Sequence, residues 1–149
     1  MTPWRPRQSI RVLAIGLAVR EGHLLAAEVR NDAGQLTGVR PLGGEVEFGE
    51  TREAALIREF REELDCGIAI TGAWSAIENL FVHEGVQGHE IVFAAPVRIL
   101  DRELPVDAPV AFEDGVPAIA RWFALDRLRR GEIALYPMGL AELIGPQSV

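Results

Sequence analysis

The sequence predicts an α+β fold, a mixed and mainly antiparallel sheet built around one strong central helix. Two β-rich stretches, residues 9–19 and 24–30, are separated only by Arg20-Glu21-Gly22-His23, which is the pattern of a β-hairpin turning at Glu21-Gly22. Residues 51–64 contain neither Gly nor Pro, and Leu56, Ile57, Phe60 and Leu64 recur at helical spacing. The later strand-like segments follow one another instead of alternating with long helices, which argues against a βαβ series.

The remaining elements follow in order. Residues 31–34 form a second turn cluster, and 37–42 read as a short strand running into Gly43-Gly44. Residues 74–83 and 89–97 read as paired strands around the turn 84–88, and 118–124 as a later strand. Segment 101–115 is rich in Pro, Asp and Glu and is expected to run as a loop over the surface. Residues 126–130 and 138–144 suggest two short C-terminal helices. Gly43-Gly44 has no Lys-Ser/Thr after it and no Gly-x-Gly-x-x-Gly spacing, so neither a Walker loop nor a dinucleotide fingerprint is present.

With 149 residues, 48% of them hydrophobic, the chain suits a single domain over 1–149, with residues 1–9, basic and proline-broken, expected to be a flexible N-terminal segment. The apolar stretch 10–19 is interrupted by Arg11 and Gly16 and lacks a small-residue cleavage site, so it reads as a strand and not as a signal peptide. No run reaches the roughly 18 to 20 apolar residues of a spanning helix. The expectation is a cytoplasmic protein, monomer or homodimer, with no membrane partner. Cys66 is the sole cysteine, which excludes an intramolecular disulfide, and it reads as a small core residue. A net charge of −7 argues against a duplex nucleic acid as partner, which would require a basic face.

Chemistry concentrates in Gly43-Gly-Glu-Val-Glu-Phe-Gly-Glu-Thr-Arg-Glu-Ala-Ala-Leu-Ile-Arg-Glu-Phe-Arg-Glu-Glu63. On a helix advancing about 100° per residue, Glu59, Glu62 and Glu63 share roughly a 100° arc, rotated by roughly 125° from the apolar arc of Leu56, Ile57, Phe60 and Leu64. Like charges at i,i+3 and i,i+4 repel, and no lysine sits among them. Carboxylates gathered at a cost to the helix suggest a cation, and hard oxygen donors suit Mg²⁺ or Mn²⁺ better than zinc. Such an ion can in turn seat an anionic diphosphate and acidify a water, which points to hydrolytic phosphoryl or nucleotidyl transfer.

Gly44, Glu50, Arg58, Glu59, Phe60, Glu62 and Glu63 match, in order and spacing, the box of the Nudix hydrolases, which this segment resembles. The six polar or glycine matches would arise by chance in roughly one in 10⁵ chains of this size. The phrases Arg40-Pro-Leu-Gly-Gly44 and Arg121-Trp-Phe-Ala-Leu-Asp-Arg-Leu128 resemble the family as well. Asp65 stands where the family has a glycine after the paired glutamates, a position where a left-handed residue ends the helix and Asp is tolerated better than most.

The resemblance implies a Nudix-like α/β/α sandwich and a Mg²⁺-dependent pyrophosphohydrolase, with Mn²⁺ able to substitute. Its substrate would be a nucleoside diphosphate linked to another moiety: a nucleotide sugar, a dinucleotide or a nucleoside triphosphate. It further implies that Glu59, Glu62 and Glu63 coordinate or water-bridge the metal, that the Gly43 carbonyl is a further ligand, and that Arg58 and Glu50 form an orienting pair. An additional Glu from outside the box often serves as base or ligand. Glu113, in the polar loop, is the first candidate here, with Glu90 or a glutamate of the box as alternatives. A non-catalytic domain of the same fold that binds a nucleotide and regulates a partner is the competing reading. Trp74, Phe81 and Tyr136 could stack on a base, although core packing is the simpler role for each.

Overall fold

The computed structural model describes residues 3–144. Strands β1 (Ile10–Arg20) and β2 (His23–Arg30) meet at a turn in which Glu21 (φ 51°) and Gly22 (φ 73°) are both left-handed. That pair of positive φ values is what a two-residue hairpin needs to match the twist of its strands. Then come β3 (Leu36–Glu45), α1 (Arg52–Leu64), β4 (Ile68–Ile70), β5 (Ser75–His83), β6 (Val86–Ile99), β7 (Val110–Glu113), β8 (Pro117–Ala124), α2 (Leu125–Arg129) and α3 (Leu140–Leu143).

The strands join in the order β4-β6-β1-β3-β2-β8-β7, with β5 on the outer side of β6. Only β1 and β6 run parallel, over Ile10↔His89 to Ala18↔Val97; the other pairings are antiparallel. β3 serves two neighbours in turn, since residues 36–41 pair with β2 and 42–45 with β1. Its second half therefore carries Gly43 and Gly44 into the middle of the sheet.

Strand alternation divides the sheet into two apolar faces. On one side Ala14, Ala18, Leu42, Val97, Val110, Phe112, Ala120 and Trp122 close around Ala55, Leu56, Phe60 and Leu64 of α1. On the other, Ile15, Leu24, Val39, Val92 and Ala94 pack with Leu125, Leu128, Leu140 and Ile144 of the C-terminal segment. Helices thus cover both faces, giving an α/β/α sandwich. Within α1 the buried stripe uses Ala55 where the hydrophobic pattern selects Ile57, which is 47% exposed. Periodicity registers side-chain chemistry and passes over the small Ala55, which the helix nevertheless buries completely.

Two features depart from the sequence expectations. Segment 101–115 contains a strand, β7, and its first half is tied down: the Gly67 N–H donates to Asp101 Oδ1 at 2.6 Å, Arg102 donates to the Leu64 carbonyl, and Trp122 Nε1 donates to the Leu104 carbonyl at 3.1 Å. Leu104 is fully buried, so acidic and proline-rich composition concealed a strap over the core. Of the segment 1–9 expected to be flexible, residues 1–2 lie outside the described residues; residues 3–9 have no regular structure but are anchored, Arg5 to Asp32, Arg7 to Glu45 and the Trp4 ring against His83. The strand 68–70 is too short for its three residues to show a periodicity.

Phe60 joins α1 to the sheet by lying directly over Gly16, where an added Cβ would fall 2.7 Å from the ring. Phe60→Ala is expected to cost about 3–5 kcal/mol in urea unfolding, the range for emptying a buried aromatic site. A loss below about 1 kcal/mol would mean that α1 is held by something other than this contact.

Candidate active site

Thr51 starts α1 by accepting the Ala54 N–H at its hydroxyl, and Asp65 ends it in the left-handed region (φ 50°, ψ 45°). The Asp65 N–H donates back to the Arg61 carbonyl at 3.1 Å. Between these caps the helix carries its carboxylates over the β3 glycines. An added Cβ on Gly44 would stand 2.4 Å from the Glu59 carboxyl carbon and 2.6 Å from both its oxygens. On Gly43 (φ 146°) it would stand 2.1 Å from the Ala14 carbonyl oxygen. Both positions must be glycine for backbone and carboxylate to approach this closely.

Arg58 organises the cluster. Its Nε donates to Glu50 Oε2 at 2.8 Å and its Nη2 to Glu50 Oε1 at 2.9 Å, a two-pronged grip on one carboxylate. Nη1 donates to Glu59 Oε1 at 2.8 Å and to Glu62 Oε2 at 3.3 Å, and Nη2 reaches the Glu45 carbonyl at 3.0 Å. Glu50 also accepts the Glu47 N–H at 3.0 Å. These bonds, Arg58 first, hold the Glu50 carboxyl down to about 2. Reciprocally, Arg58 is held still more firmly in its charged form, with Glu50 the largest cause. One guanidinium therefore fixes the loop 46–50, the end of β3 and two box glutamates in a single geometry.

Glu63 is in the opposite situation. It is 9% exposed, and both its carboxylate oxygens are buried and accept no hydrogen bond from any described residue. Burial, followed by the negative charge of Asp114, pushes its carboxyl up to about 8. Arg40 opposes this shift, and the nearby Gly43 amide does so weakly. Glu59 is raised as well, with burial outweighing its bond to Arg58. A buried carboxylate with no donor is expensive unless a cation completes it.

The structure brings Gly43, Glu50, Arg58, Glu59, Glu62 and Glu63 together. It does not bring in Glu90 or Glu113. Glu90 lies on the sheet face away from α1, with Arg11 Nη1 donating to it at 3.2 Å and Asn79 Nδ2 at 3.3 Å. Glu113 is exposed and alternates with Val110 and Phe112, whose side chains point into the α1 core, so it faces off the cluster. The carboxylate of that turn felt by Glu63 is Asp114, paired with Arg40 at 2.8 Å. Neither residue stands out in the sequence, because their meeting depends on the β3-β2-β8-β7 order, which lets Arg40 reach past β2 to the β7–β8 turn.

The aromatic candidates are engaged in packing. Trp74 sits edge-on to Phe93 with Arg52 over both rings, Phe81 covers the backbone of Gly88, and Tyr136 packs on Gly38 and donates to the Thr37 carbonyl at 3.1 Å. Cys66 is buried, and burial pushes its thiol up.

Among the described residues no three His, Cys, Asp or Glu side chains are grouped so that they could hold a metal ion between them. The donors nevertheless fit a hard divalent ion: oxygen only, one buried carboxylate without a donor, and a glycine cradle that keeps Glu59 beside β3. Magnesium commonly binds through a few carboxylates plus water and substrate phosphate, so an open arrangement suits it.

Gly44→Ala tests that cradle. The new methyl meets the far end of a flexible side chain, so Glu59 is expected to swing away while the fold persists. Stability should change by less than about 1 kcal/mol relative to the large losses of core truncation, whereas divalent-metal affinity measured by calorimetry should fall about 10- to 100-fold. Unchanged affinity would remove Glu59 from the metal set.

A NUDIX domain model matches residues 8–141. Among solved structures, a NUDIX hydrolase from Nitrosomonas europaea is 16% identical with a TM-score of 0.63, covering 91% of this chain and 85% of that one. A MutT NUDIX hydrolase from Burkholderia pseudomallei is 25% identical with a TM-score of 0.52, covering 80% and 86%. An ADP-ribose pyrophosphatase from Streptococcus suis is 14% identical with a TM-score of 0.53, covering 89% and 84%. With the match spanning nearly all of the fold and the Glu59 carboxylate of the box lying against Gly44 of β3, the chain belongs to the NUDIX family.

Proposed function

We propose that the chain hydrolyses a diphosphate linkage in a nucleoside diphosphate joined to a further group, as in a nucleotide sugar, a dinucleotide or a nucleoside triphosphate. The observation that carries this reading is the buried, donor-free carboxylate of Glu63 beside Glu59 on the box helix. Glu59, Glu62, Glu63 and the Gly43 carbonyl would hold Mg²⁺ or Mn²⁺. When bound, such an ion neutralises charge on phosphoryl oxygens and lowers the pKa of a coordinated water.

The side chains then divide the work. Arg58 keeps Glu59 and Glu62 oriented and is itself aligned by Glu50. Their fixed positions reduce the reorganisation needed when substrate arrives. With Glu90 committed to Arg11 and Asn79, and Glu113 turned off the cluster, a glutamate of the box accepts the proton of the attacking water. The pyrophosphatase from Streptococcus suis takes its name from its own substrate. At that identity the likeness carries the fold, and ADP-ribose enters here as one member of a substrate panel.

The deciding experiment is a panel of nucleotide sugars, dinucleotides, ADP-ribose and nucleoside triphosphates, assayed with Mg²⁺ and with a chelator, products identified by mass. Hydrolysis at a diphosphate bond that stops on chelation is expected, and Glu63→Gln should remove it while the protein stays folded. Metal-saturated protein that binds members of the panel and cleaves none would instead make it a binding domain. Glu113→Gln is expected to keep kcat near the wild-type value; a loss of roughly 10²- to 10⁴-fold, typical of a missing general base, would return that role to Glu113.

A further inference from the structure

Arg40 and Asp114 stand at the cluster without belonging to the box. Alternation along β3 puts Arg40, Leu42 and Gly44 on the α1 side: Leu42 is buried against α1, and Gly44 lies under the Glu59 carboxylate. Arg40 Nη2 donates to Asp114 Oδ2 at 2.8 Å across the gap between β3 and the β7–β8 turn, where the Asp114 N–H donates to the Val116 carbonyl at 3.0 Å. The charges of both residues act on the Glu63 carboxylate.

An acidic site that takes a diphosphate needs a cation able to change partners. Arg58 cannot do so without releasing Glu50, Glu59, Glu62 and the Glu45 carbonyl together. Arg40 can: its side chain is 36% exposed, its partner's 42%, and an ion pair so open to water is weakly held. A guanidinium also matches the spacing of phosphoryl oxygens with two parallel donors, and a bridging diphosphate carries more charge than one carboxylate.

We propose that Arg40 binds the diphosphate of the substrate and that Asp114 is its holding residue, a competitor that occupies the guanidinium until the anion displaces it. This rests on the reading of the site as one for a diphosphate. The pair is then a selectivity device: ligands with a single phosphoryl group compete poorly for Arg40, and those with two compete well. A purely structural ion pair would tie β3 to the turn and leave anion binding unaffected.

The test uses the full chain, saturating Mg²⁺ and imidodiphosphate, a hydrolysis-resistant diphosphate, with affinity read by calorimetry. Arg40→Gln is expected to weaken binding about 10- to 100-fold, the range for losing hydrogen bonds to a charged group, and Arg40→Lys to fall between it and the wild type. Asp114→Asn should tighten binding several-fold with Arg40 present and leave it unchanged with Arg40→Gln. Circular dichroism of each variant separates a folding defect from a binding defect, and the lysine variant retains the charge if the glutamine variant is unstable. Wild-type affinity in a folded Arg40→Gln, tightening by Asp114→Asn without Arg40, or no binding by the wild type each overturns the proposal. Arg40-dependent binding in a protein that cleaves no nucleotide would uphold it while removing the hydrolase reading.

Discussion

A carboxylate buried without a donor dominates this molecule, and most of the surrounding geometry exists to place it. Glu63 lies within the helix face that also buries Leu56, Phe60 and Leu64, so the packing that stabilises α1 is the packing that withdraws its carboxylate from water. Nothing in the apolar core would compensate for its ionised form, which burial disfavours. The fold accepts the penalty because Phe60 over Gly16, the Thr51 and Asp65 caps and the strap 101–109 fix the helix independently of Glu63. The caps that stabilise α1 and the carboxylate that costs it stability thus lie on one element, Glu63 next to last in the helix.

Arg58 is the counterweight. It pairs with Glu50, Glu59 and Glu62 and leaves the deeper Glu63 unpaired, so paired carboxylates and a carboxyl that burial keeps protonated stand at different depths beside the β3 glycines. Charge separation of this kind gives an ion a defined place to sit while keeping the rest of the helix from repelling itself. The glycines are the matching half. With a Cβ at Gly44 the Glu59 carboxylate could not lie where it does, and with one at Gly43 the backbone could not pass Ala14. Sequence, sheet register and electrostatics therefore converge at the end of β3.

The parts legible in the sequence were those whose cause is local. The β1–β2 turn is fixed by Glu21-Gly22, the helix by a Gly- and Pro-free run with apolar residues at helical spacing, and the box by residues whose spacing is itself the geometry. What sequence could not show depends on contacts distant along the chain. Ile57 looks like core and faces water, because the helix is rotated to bring Ala55 and Glu63 inward. Glu113 stands beside the functional turn in sequence, yet strand alternation sends it outward and leaves Asp114 to meet Arg40. The Arg11–Glu90 pair likewise forms only through the parallel β1–β6 register.

The central claim is that the Glu63 carboxylate is completed by a divalent cation, and its most direct test is thermal unfolding of wild type and Glu63→Gln with and without Mg²⁺ or Mn²⁺. A ligand bound only by the folded state raises stability by roughly 2.7 kcal/mol at a hundredfold excess over its Kd, a shift of several degrees for a protein of this size. Metal is expected to raise the Tm of the wild type by that order, Glu63→Gln to melt higher than the wild type without metal, and metal to add little to that variant. A Glu63→Gln protein that melts lower without metal and keeps the full metal-dependent rise would contradict the claim.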